Sequence, residues 1–170
     1  MINHQALRES FKPEKIKVFF IAEAPPKNDT FFYSAKGGFY NYTKQIFNEL
    51  FKEEIDKSAD FLHFFQDKCC FLDDLCHEPK TYEEIFKNKD DRDGYIKKLQ
   101  SRLITCNPQA IIITLKEIDD FARDAIKRSN ITLNPELIIT LDFPGHGHQN
   151  DYMTGLWATL HFLITKNILT

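Results

Sequence analysis

Residues 107–126 read NPQAIIITLKEIDDFARDAI, and this stretch decides the fold class. Asn107-Pro108 breaks the chain, because proline has no amide hydrogen to give to a helix. Ala110 to Thr114 are then apolar on both faces, as a strand covered on both sides must be. Ile118, Phe121, Ala122, Ala125 and Ile126 follow at i, i+3, i+4, i+7 and i+8, one face of a helix. A strand, a short loop and an amphipathic helix form the repeating unit of a parallel sheet with crossover connections.

The pattern recurs on either side. Ile16 to Ala22 (IKVFFIA) is a first strand stopped by Pro25-Pro26, and Tyr42, Ile46, Phe47, Leu50 and Phe51 lie on one helical face after it. Cys69 to Leu72 is a second strand that the acids Asp73-Asp74 should end. Thr81 and Glu84 have the spacing of a capping box, the charged run Lys87 to Asp93 reads as a loop, and Ile96, Leu99 and Leu103 mark another helix. Leu137 to Leu141 is a fourth strand, and Met153, Leu156, Trp157, Leu160 and Ile164 mark a last helix. The expected fold is an α/β domain spanning 1–170, a three-layer α/β/α sandwich around a four-stranded, mostly parallel sheet.

Composition supports a packed core, with 42% hydrophobic residues among 170 and sixteen Phe. No apolar run is long enough to span a bilayer and MINHQALRESFKPEK has no apolar signal core, so a cytoplasmic monomer without a membrane partner is expected. Cys69, Cys70, Cys76 and Cys106 have neither a paired metal spacing nor the density of a disulfide scaffold, and reduced thiols are expected. The formal net charge of -3 gives no global attraction to phosphate.

In parallel sheets ligands bind beyond the carboxyl ends of the strands. Those windows are Glu23 to Asn28, Asp73 to Cys76, Thr114 to Glu117 and Asp142 to Asp151. Residues 22–40, AEAPPKNDTFFYSAKGGFY, put an acid at a strand end, stiffen the turn with prolines and add aromatics next to Gly37-Gly38, which suits a flat ring. The alternative is that Glu23 caps a helix and the aromatics are core. Residues 142–151, DFPGHGHQND, set polar groups among glycines, whose backbone amides can approach a ligand closely. Read without chemistry, that loop is a strand-to-helix turn capped by Asn150 or Asp151.

On these residues the chain resembles the uracil-DNA glycosylase superfamily, in particular the branch whose first motif reads G-E-A-P-G. That motif would be Ala22-Glu23-Ala24-Pro25-Pro26. The resemblance continues in order through the aromatic and glycine loop, the second strand with its polar end, the strand after Pro108, and the last strand leading to a His-bearing loop. It implies hydrolysis of the N-glycosidic bond of a flipped-out base in DNA, uracil or another damaged base. Glu23 would orient or activate water, and Phe31, Phe32 or Tyr33 would stack on the base. Asp73 or Asp74 would stand where the family reads the base with Asn, and His146 or His148, His146 being favoured, would hydrogen-bond the departing base. Lys27, Lys36, the Gly37-Gly38 backbone and the loop of Gly145, Gly147, His148 and Gln149 would touch phosphate, making DNA, single-stranded or duplex, a weakly bound partner.

Members of that branch carry an iron–sulfur cluster on four cysteines, two before the first motif. Here no cysteine precedes Cys69, only Cys76 falls near a ligand position, and no cofactor or metal is expected. Two other readings stay open: a metal-dependent hydrolase using Asp142, His146, His148 and Asp151, and a non-catalytic domain that binds a nucleotide, nucleic acid or protein.

Overall fold

The structure is a computed structural model that describes residues 3–55 and 58–170. In chain order the elements are α1 (His4–Ser10), β1 (Val18–Ala22), α2 (Gly37–Phe51), α3 (Ser58–Asp67), β2 (Cys70–Asp74) and α4 (Tyr82–Phe86), followed by α5 (Lys89–Cys106), β3 (Ala110–Ile113), α6 (Asp119–Ser129), β4 (Ile138–Thr140) and α7 (Gln149–Thr165). The four strands form one sheet in the order β2-β1-β3-β4, and every neighbouring pair is parallel. This is the expected α/β fold.

β1 and β3 occupy the middle, and all nine of their residues are buried, as central strands covered on both faces require. From β1 the chain moves one way across the sheet to β2, and from β2 it moves back past β1 to β3 and β4. Right-handed crossovers put the helices of opposite moves on opposite faces, and the packing agrees: α5 lies against α6, and α2 against α7. Phe61 and Phe65 of α3 join Phe47 of α2 in an aromatic cluster with ring centroids 5.4 to 6.0 Å apart.

Three expectations need correction. β2 does not stop at Leu72 but runs through Asp73 and Asp74, paired with Ile21 and Ala22 of β1. The run Lys87 to Asp93 is not all loop, because Asn88 caps α5 by accepting the Asp90 amide and the helix begins at Lys89. α1 and α3 were not marked by the pattern at all. The expected capping box is present, with Thr81 Oγ1 accepting the Glu84 amide and Glu84 accepting the Thr81 amide. Among the described residues no helix is long and apolar enough to cross a membrane.

Candidate functional site

The sheet order makes β1 and β3 the point where the chain's direction across the sheet reverses, and a crevice opens there beyond the strand ends. A cleft of about 640 Å³ occupies it, and each of the four strand ends contributes one titratable side chain: Glu23 after β1, Asp74 at the end of β2, Glu117 after β3 and His146 after β4. Phe31, Phe32, Phe39, Tyr82 and Phe143 supply aromatic walls.

Glu23 is fixed through its backbone. The Leu75 amide donates to the Ala22 carbonyl at 2.7 Å and the Cys76 amide to the Glu23 carbonyl at 2.9 Å, so the β1–β2 ladder continues past the strands. Among the described residues the Glu23 carboxylate has no hydrogen-bond partner. Its pKa is pushed up to about 6, first by burial and then by the negative charges of Glu117 and Asp74.

The acidic pair at the end of β2 divides because successive strand side chains point to opposite faces. Asp74 lines the cleft, and Asp73 does not. Of the two acids offered for the base-reading position, it is therefore Asp74 and not Asp73 that shares the cleft with Glu23 and His146. Asp73 is held by three basic side chains, with Arg102 Nε 2.6 Å from Oδ2, Arg8 Nε 3.3 Å from Oδ1 and His77 Nε2 2.6 Å from Oδ1. Burial pushes Asp73 up, but the His77 hydrogen bond and the charges of Arg102, His77 and Arg8 outweigh it, and the net direction is down. Asp74 accepts from Arg8 Nη2. Burial dominates there, Asp73 adds to it and Arg8 opposes it, and the Asp74 pKa rises to about 6. Arg8 itself is only 1% exposed, and it ties α1 to the end of β2.

His146 sits in a tight turn that the sequence Gly145-His146-Gly147 makes possible. The Gly145 amide donates to the Phe143 carbonyl at 2.8 Å and the His148 amide to the Gly145 carbonyl at 3.0 Å. The two central residues both have positive φ, +52° at His146 and +96° at Gly147. Of the seven described non-glycine residues with positive φ, His146 alone lines the cleft. His148 is not part of the cleft lining and pairs with Asp151 at 3.2 Å at the start of α7.

The aromatic expectations divide as well. Phe31 and Phe32 reach the cleft, but they are 1% and 3% exposed, and Phe32 packs on Phe39, Tyr40 and Phe65. Tyr33 is not at the cleft. Its hydroxyl sits on the outer edge of β2, donating to the Leu72 carbonyl at 3.0 Å and accepting the Leu72 amide at 2.8 Å. The ring faces open to a ligand belong to Phe143 and Tyr82, 39% and 40% exposed, with Phe39 5.3 Å from Phe143.

Gly37 and Gly38 line the cleft where α2 begins. Neither Lys36 at the start of α2 nor His148 at the start of α7 caps its helix with a side chain. Gly37 has φ +87°, and a Cβ there would lie 3.0 Å from Thr30 Cβ, so glycine is needed. Gly145, Gly147 and Gln149 are not in the lining apart from their turn with His146. Lys27 and Lys36 are exposed and paired with Glu84 at 2.9 Å and Asp29 at 2.8 Å. Asp142 is taken by Lys116 at 2.7 Å. Among the described residues no three His, Cys, Asp or Glu side chains gather as metal ligands. The four cysteines are free thiols.

Sequence reasoning missed four contributors. Phe143 and Glu117 lay inside windows already marked but were not singled out. Tyr82 belongs to the capped helix α4, and nothing in its local pattern points to the cleft. Arg8 had no local signal, since its partner Asp74 is 66 residues away. Compared with known proteins, the chain matches no family model and no curated sequence.

Proposed function

We propose that the cleft holds a single flipped-out nucleobase and hydrolyses its N-glycosidic bond, as the resemblance to the uracil-DNA glycosylases implies. The observation that carries this reading is that Glu23 and His146, far apart in sequence, line one cleft with aromatic faces around them. The volume of about 640 Å³ falls in the range of small-molecule sites. A stacked base needs aromatic walls, a developing sugar cation needs a carboxylate, and a departing base needs a hydrogen-bond donor. In the proposed step the oxygen of water bonds to C1′ and gives its proton to Glu23. The C1′–N bond breaks, and its electron pair passes to the base nitrogen, where His146 donates. The first amides of α2 and α7, left without side-chain caps, suit the flanking phosphates.

The test is release of free base from oligonucleotides that each carry one altered base, in single strands and duplexes. Glu23→Gln keeps the size of the side chain and should lower release by about 100-fold or more while sparing binding. Because Glu23 acts ionised, the wild-type rate should fall as pH drops through about 6. Full activity in Glu23→Gln would refute the assignment.

A further inference from the structure

Resting on that reading, we infer that the cleft prefers a nucleobase with a positively charged ring, an N-alkylated purine, over neutral uracil. The cleft walls carry three carboxylates, Glu23, Asp74 and Glu117, and among the described residues no Lys or Arg lines it. Cations on neighbouring segments are committed elsewhere. Lys27 is paired with Glu84, Lys116 with Asp142, and the buried Arg8 is shared between Asp73 and Asp74 from behind. The carboxylates repel one another, as the upward pull of Glu117 and Asp74 on Glu23 shows. An ionised carboxylate only accepts hydrogen bonds, so the two carbonyl oxygens of uracil would face acceptors. A cationic purine offers ring charge and amine donors to the same groups.

The aromatic walls point the same way. Phe143 and Tyr82 are exposed at the cleft, and a delocalised cation stacked on such a ring gains a cation–π attraction that a neutral ring does not. The first turns of α2 and α7 carry the opposite sign. Their field amounts to about half a charge each and fades within one turn, which is less than Glu23 and Glu117 supply even with Asp74 offset by Arg8, and it lies at the rim where phosphate would sit.

The chemistry balances with this substrate. Water oxygen bonds to C1′ and its proton passes to Glu23. The C1′–N bond breaks and its electron pair neutralises the positive ring, so the base leaves uncharged. Such a leaving group needs little help from an acid, which fits a site whose donor, His146, stands on an exposed turn.

The experiment compares initial rates on three otherwise identical oligonucleotides bearing 7-methylguanine, uracil or hypoxanthine, using the full chain and subtracting spontaneous loss measured without protein. Release of 7-methylguanine should exceed the others by about tenfold or more. Equal or faster release of uracil or hypoxanthine would overturn the inference and leave the base-excising reading intact. Release of none of the three would overturn both. Glu117→Gln, at an exposed cleft residue where folding is not at stake, should cut the preference for 7-methylguanine over uracil by about threefold. An unchanged preference in that variant would also overturn the inference.

Discussion

Asp74→Asn isolates the cost of keeping a charged acid at the floor of the cleft. Asp74 is 2% exposed, and its pKa rises from 3.8 to about 6. A raised acid binds its proton more tightly folded than unfolded, so its contribution to stability is complete below the unfolded pKa and is lost as pH climbs through the folded one. One pKa unit is about 1.4 kcal/mol, so the rise corresponds to roughly 3 kcal/mol lost between about pH 4 and pH 6. Asn keeps the shape and an acceptor for Arg8 but cannot ionise. Urea unfolding of both proteins at about pH 4 and about pH 7.5 cancels the titrating groups that do not feel Asp74, and leaves beside its own titration the smaller couplings to Glu23 and Asp73. The stability of the wild type relative to Asp74→Asn should fall by roughly 3 kcal/mol across that range. Parallel pH profiles would refute the account and mean that Arg8 compensates the charge fully.

Tyr33→Phe removes the hydroxyl that satisfies both backbone groups of Leu72 and should cost about 2 kcal/mol, read as a lowered urea midpoint with an unchanged slope. Gly37→Ala forces a Cβ against Thr30 at φ +87° and should cost roughly 2 kcal/mol. Because Thr30 lines the cleft, the same variant should weaken nucleoside binding, measured by quenching of intrinsic fluorescence. A variant as stable as the wild type would show that the loop moves freely there.

Much of the sheet was legible because its strands differ in kind from their surroundings. AIII of β3 and VFFIA of β1 are short, apolar and stopped by polar or proline residues, and the helices after them repeat every three or four residues. α3 escaped because SADFLHFFQD is rich in aromatics with modest helix propensity. Its helix is secured by Phe61 and Phe65 packing on α2, which a local pattern does not contain. The acids Asp73 and Asp74 read as the end of a strand for a sound local reason, since uncompensated charge does not belong in a sheet. Arg8 and Arg102 supply the compensation from elements distant in sequence. In the cleft, Glu23 and His146 were legible from their position after strands. The division of labour among the aromatics was not, because which ring is packed and which is open depends on neighbours from α2, α4 and the last loop.

The tie between α1 and β2 also bears on the order of assembly. Arg8 precedes Asp74 by 66 residues, so during synthesis the guanidinium is made well before the acids it must meet. Until β2 emerges and pairs with β1, α1 has no acidic partner there, and seven residues are too few to hold a helix alone in water. α1 can rest on Phe31 before that, but its ion pairs close only once β2 is in place, as a clasp over a sheet already laid down. Removing α1, or joining a bulky partner to it, therefore acts on the floor of the cleft.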